Sequence, residues 1–65
     1  MSEEDFALFR TLVETADRSF DGHLTVMKFT TNWRVGFGTI EDRDSVNGMA
    51  VGNTFAEAAR KALKV

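Results

Sequence analysis

Residues 22–39, GHLTVMKFTTNWRVGFGT, constrain this chain more than any other stretch. Two runs rich in β-branched and aromatic residues flank a short polar segment, the pattern of a β-hairpin. Two registers are open, and they bury different side chains. A two-residue turn at Thr31-Asn32 pairs Thr30 with Trp33, so that Leu24 and Val26 share a face with Trp33, Val35 and Phe37. A three-residue turn pairs Phe29 with Trp33, and Met27 and Phe29 join Trp33, Val35 and Phe37 instead. We expect the three-residue turn, because Asn32 is the turn residue that best tolerates positive φ. Gly36 and Gly38 then mark a surface that another element approaches closely.

A helix precedes the hairpin. Ser2 and Asp5 form a capping box with Asp in place of the usual Glu, and Glu3, Glu4 and Asp5 suit the positive end of a helix. Phe6, Phe9, Val13 and Ala16, flanked by Leu12, recur at helical spacing and form the expected inward stripe. Glu3, Ala7, Arg10, Glu14 and Arg18 face outward. Gly22 is the stop signal, and Phe20 is expected to tuck under the exit.

After the hairpin, residues 41–45 read as a charged connecting loop. Residues 46–51 read as a short third strand, weakened by Asn47-Gly48. Gly52-Asn53 breaks it. Thr54 with Glu57 is a full capping box. Phe55, Ala58, Ala59, Ala62 and Leu63 then give the last helix an apolar face of small side chains, able to sit close to the sheet. The order is α-β-β-β-α. The expected fold is α+β: a three-stranded antiparallel meander with two helices packed on one face.

Sixty-five residues suggest one compact domain, 1–65, near the lower size limit for a single core. Without cysteine, thiolate metal sites, disulfides and cysteine nucleophiles are excluded. The acidic N-terminus is unlike a signal peptide, and no apolar run is long enough to cross a bilayer. The net charge of −2 names no partner, but its distribution is uneven. Acids dominate residues 1–21 and 41–44, whereas Arg60, Lys61 and Lys64 make the last helix basic.

Hairpin pairing should gather Asp17, Asp21, Glu41, Asp42 and Asp44 at one end, with Glu14 on the helix leading there. The plain reading is a solvated acidic loop, partly neutralised by Arg18, Arg43 and the basic last helix. The functional reading is an electronegative contact surface for a basic partner. Divalent-cation binding is weaker, because the spacing matches no calcium loop. Lys28, Trp33 and Arg34 at the hairpin tip form the alternative site. Trp33 is either a core aromatic or an exposed platform for stacking bases. His23, the lone histidine, has no second histidine or cysteine beside it and reads as structural. No nucleophile elbow or phosphate-binding glycine loop is present, so no enzymatic activity, cofactor or metal is expected.

Three resemblances follow. The α-β-β-β-α order resembles a double-stranded-RNA-binding domain, whose last helix starts basic and whose RNA-contacting loop reads Gly-Pro-x-His. Here those positions are Thr54-Phe-Ala-Glu57 and Glu41-Asp-Arg-Asp-Ser-Val, so the resemblance implies topology and not RNA binding. Trp33-Arg-Val-Gly-Phe followed by Gly52-Asn-Thr-Phe-Ala-Glu-Ala is similar to the strand-to-helix end of HicB-type antitoxins, without their Pro-x-x-Pro-Gly segment. The phrase Gly22-His-Leu-Thr, Phe29-Thr-Thr-Asn-Trp33, Phe37-Gly-Thr39 and Thr54-x-x-Glu-Ala resembles short phage and prophage proteins. That last resemblance implies an anti-defence factor of the anti-CRISPR kind, which covers a basic nucleic-acid-binding surface. The expected partner is a host protein such as a subunit of a CRISPR surveillance complex, in the bacterial cytoplasm. The protein itself is expected to be a monomer or weak dimer that binds no membrane, with two alternative functions open: a small nucleic-acid-binding module of double-stranded-RNA-binding-domain topology that uses Lys28, Trp33 and Arg34, and a HicB-like antitoxin partner of a small toxin.

Overall fold

The computed structural model describes residues 1–65. The elements are α1 (Glu3–Ser19), β1 (Leu24–Lys28), β2 (Trp33–Phe37), α2 (Arg43–Asn47), β3 (Ala50–Gly52) and α3 (Phe55–Leu63). The strands form one antiparallel sheet in the order β1-β2-β3. Leu12 of α1, Val35 of β2 and Phe55, Ala58 and Ala59 of α3 form the core, with Leu8, Leu24, Val26 and Trp33 against it. Hence α1 and α3 share one face of an α+β meander. Leu12 and Val35 are completely buried. Each such side chain contributes about 1.5–3 kcal/mol of transfer free energy. No helix is long and apolar enough to cross a membrane.

Both capping boxes form. Asp5 N–H donates to Ser2 Oγ at 3.1 Å, and Ser2 N–H donates back to Asp5 Oδ2 at 3.4 Å. Glu57 N–H donates to Thr54 Oγ1 at 3.1 Å, and the Asn53 and Thr54 N–H groups both reach Glu57 Oε2. The α3 stripe is buried as its spacing requires. Its approach to the sheet is close because Gly52 has no side chain: a Cβ there would lie 2.4 Å from Ala58 N and 2.6 Å from Glu57 Cβ. The stop of α1 also follows the pattern. Phe20 caps the helix and stacks on Phe37 with ring centroids 4.8 Å apart. Asp21 and Gly22, at φ 55° and 80°, then turn the chain through two left-handed residues into β1.

Four expectations need correction. First, the hairpin uses neither the three-residue turn nor the two-residue turn at Thr31-Asn32, although it buries the face that the latter implied. Lys28 pairs with Trp33 and Val26 with Val35, while Phe29 N–H donates to Asn32 O at 2.8 Å, leaving Thr30-Thr31 at the tip. Asn32 has no positive φ, so the premise for the three-residue register fails. Leu24 and Val26 therefore lie on the helix face. Phe29 lies on the opposite face, with the Arg34 guanidinium 5.5 Å from its ring centre. Secondly, residues 43–47 are a short helix rather than a loop and strand, because Asp42 caps it: Ser45 N–H donates to Asp42 Oδ1 at 2.8 Å. The third strand shrinks to Ala50–Gly52. Thirdly, Phe6 and Phe9 are 58% and 42% exposed, and the inward stripe of α1 is Leu8, Leu12 and Ala16. Fourthly, Gly36 is covered by Met49 and Ile40, but nothing approaches Gly38 within 4 Å.

Candidate functional site

The acidic end of the molecule is built by the exit of α1 and the base of the hairpin. Glu14 and Asp17, three residues apart, share one exposed face of α1. Asp17 lies against the turn that follows: a Cβ on Gly22 would lie 3.2 Å from Asp17 Oδ1. Asp21 sits in that turn, its left-handed backbone being one that Asp adopts more readily than most residues. The ladder ends where Gly38 N–H donates to His23 O at 3.0 Å. Asp21 precedes that last pair and Glu41 follows it, so both belong to this end but neither is held in the ladder.

Asp42 and Asp44 are fixed by α2. The Ser45 backbone N–H, seconded by the Ser45 hydroxyl, holds the Asp42 carboxyl below the usual carboxylate range, against a small opposing effect of burial. Glu14, Asp17, Asp21, Glu41, Asp42 and Asp44 are all exposed, and none is in an ion pair. The one ion pair of the protein joins Glu4 to Arg60, which ties α1 to α3. Arg18 and Arg43, expected to neutralise the acids, pair with none of them. No three metal-ligating side chains converge, so the acids form a dispersed negative surface rather than a cage. His23 Nδ1 lies 3.3 Å from Thr39 Oγ1 at the hairpin base, with no carboxylate to orient the ring.

The alternative residues at the tip are engaged within the fold. Trp33 is half-buried and meets Phe55 edge-on at 5.8 Å between ring centres. Lys28 Nζ donates to Phe29 O at 2.7 Å and lies 5.9 Å from the Trp33 ring centre. Arg34 donates through Nη1 to Val46 O at 3.0 Å, and its Nε is buried without a partner. The exposed aromatic at the tip is Phe29, 43% accessible. Sequence reasoning missed it because it placed Phe29 on the buried face.

Sequence reasoning also missed a depression of about 550 Å³ between the C-terminal half of α3 and the link from α2 to β3. The one signal for it was Asn47-Gly48, read as a weak point inside a strand from residue 46, whereas Gly48 caps α2 and β3 starts only at Ala50. Comparison of the chain with protein families, curated proteins and solved structures finds no match.

Proposed function

We propose that this chain is a non-enzymatic binding protein whose acidic end covers a cationic, nucleic-acid-binding surface on a protein partner. The form implied by its likeness to short phage proteins is an inhibitor of a CRISPR effector acting in a bacterial cytoplasm. One observation carries the reading: six carboxylates, Glu14, Asp17, Asp21, Glu41, Asp42 and Asp44, lie exposed without a single ion pair. Such unpaired groups are free to meet a partner's Lys and Arg side chains, and like phosphates they speed encounter with a basic cleft. The tip argues against base stacking, since Trp33 rests on Phe55 and Arg34 is bonded to Val46 O.

The test measures displacement of labelled target DNA from purified CRISPR effector–guide complexes of the different types. The variant combines E14K, D17K, E41K and D44K with D21N and D42N. Asparagine is used at the last two positions because it keeps the left-handed turn and the helix cap. Displacement by the natural chain, lost in this variant with only a slight fall in melting temperature, is the expected result. No displacement from any effector overturns the CRISPR assignment. Equal displacement by the variant overturns the acidic mechanism. Tight, steeply salt-dependent binding of the chain to free DNA or RNA overturns both in favour of a nucleic-acid module.

A further inference from the structure

Strand β2 outruns β3. The β2–β3 ladder pairs Trp33, Arg34 and Val35 with Gly52, Val51 and Ala50, and goes no further. The position beside Gly36 is filled by the Met49 side chain. Phe37 has no such neighbour. Hydrogen bonding in an antiparallel ladder alternates. Gly38 N–H donates to His23 O and Phe29 N–H donates to Asn32 O, so the even-numbered residues of β2 bond β1. Phe37 therefore turns its N–H and C=O towards the β3 side, where β3 has already given way to the turn at Gly48. Gly48 N–H is spent on Asp44 O and Ser45 O of α2, and no turn or loop group bonds Phe37.

This bare strand edge opens into the depression between α3 and the α2–β3 link. Phe20, Phe37, Ile40 and Met49 line it, Lys61 and Lys64 stand on the α3 side, and no acidic side chain is among its walls. Lys61 Nζ donates to Val51 O at 2.9 Å, which holds that ammonium beside the sheet edge, and Lys64 is in no ion pair. An unpaired amide and carbonyl, an apolar floor and two ammonium groups together match one chemistry. They suit an extended peptide with an apolar residue next to a carboxylate.

We propose that this notch binds a short extended segment of a partner protein, which adds to β2 beyond the end of β3. Its backbone bonds Phe37 N–H and C=O, its apolar side chain enters the depression, and its acidic group meets Lys61 and Lys64. The site is separate from the acidic end in chemistry and does not depend on that reading.

The experiment selects binders to the full chain from a display library of random short peptides. Enriched sequences are expected to join β-branched or aromatic residues to Asp, Glu or a free C-terminal carboxylate, and to shift the Phe37 amide resonance. Methylating alternate amides of the enriched peptide in the two possible phases should abolish binding in one phase only. Ala62→Trp, which fills the depression, should weaken binding by about tenfold or more, equivalent to about 1.4 kcal/mol. Lys64→Asn, which suits the left-handed cap, should weaken it by about two- to fivefold. No enrichment, equal loss in both methylation phases, or shifts confined to other residues overturns the proposal. So does concentration-dependent dimerisation that Ala62→Trp abolishes, which would assign the notch to a second copy of the chain.

Discussion

Helices α1 and α3 begin alike and end up held very differently. Each opens with a complete capping box, and each carries an apolar stripe at helical spacing. On α3 the expected stripe is the buried one: Phe55, Ala58 and Ala59 are in the core, with Ala62 and Leu63 against it. On α1 the largest side chains of the expected stripe, Phe6 and Phe9, are exposed, and the smaller Leu8, Leu12 and Ala16 face inward. The difference lies in what each helix rests on. Helix α3 lies on β2 and β3 with its backbone against Gly52, so the sheet dictates its rotation. Helix α1 rests chiefly on α3, where its buried Leu12 shares the core with Phe55 and the small Ala58 and Ala59, which leave a shallow groove. A narrow ridge of Leu12 and Ala16 fits that groove, and phenylalanine rings do not.

The close approach at Gly52 should show the largest effect. Gly52→Ala puts a methyl group where Ala58 N and Glu57 Cβ already stand. Neither neighbour is the free end of a flexible side chain, so α3 must move. We expect a loss of about 3 kcal/mol or more, as in strong overpacking. A chain this short holds only about 3–10 kcal/mol in total, so the variant should melt at least about 12–24 °C below the natural chain by circular dichroism. A melting temperature near that of the natural chain would mean that α3 is not seated on the sheet, and the contrast with α1 would collapse.

The second test exchanges the two stripes of α1. Leu12→Ala removes a completely buried side chain and should cost about 2–5 kcal/mol. Phe9→Ala removes a larger but exposed ring and should stay within about 0.5 kcal/mol. For a chain of this size each kcal/mol moves the melting temperature by about 4–8 °C, so thermal unfolding separates the two outcomes. Equal losses would place Phe9 in a contact the fold does not show, such as a second copy of the chain.

The same contrast explains what was legible in the sequence. Caps are local: Ser2, Asp5, Thr54 and Glu57 act within four residues, so their pattern was enough. The stop at Gly22 was local too, whereas the stacking of Phe20 on Phe37, on another element, was not read. The rotation of α1, the hairpin register and the helix at 43–47 were settled elsewhere. The register follows from Leu24 and Val26 fitting under the helices while Phe29 covers Arg34 on the far side, a contact between residues the turn chemistry of Asn32 does not sense. Asp42 was counted as a surface charge, and its spacing to Ser45 as a cap went unread. At the candidate site, the acids could be named from the sequence, but not their lack of ion-pair partners. The free edge of Phe37 was not legible, because it depends on where β3 stops.

The caps give a third, smaller comparison. Thr54→Ala should cost about 1–2 kcal/mol, because α3 is the helix on which the core depends. Ser2→Ala should cost about 0.5–1 kcal/mol, because α1 can fray at its first turn while Leu12 and Ala16 stay seated. Amide hydrogen exchange can locate the loss, expected throughout α3 in the first variant and confined to the first turn of α1 in the second.

The smallest effect expected is at α2, whose cap is a single Asp without a reciprocal partner. Ser45 N–H holds the Asp42 carboxyl below its ordinary pKa of 3.8, so the folded state favours the ionised form. A depressed folded-state pKa gives stability that is present above the ordinary value. It is lost as pH falls through that value towards the folded one. Asp42→Asn keeps an oxygen to accept the Ser45 N–H but cannot titrate there. Its melting temperature should lie slightly below that of the natural chain at pH 7, and the gap should close between about pH 5 and pH 3. Asp42→Ala, which has no acceptor, should lie below Asp42→Asn throughout that range. A gap that stays constant with pH would show that the charge of Asp42 adds nothing to its cap. Helix α2 would then be held by the Arg34 bond to Val46 O, a contact with the sheet, as α3 is held by Gly52.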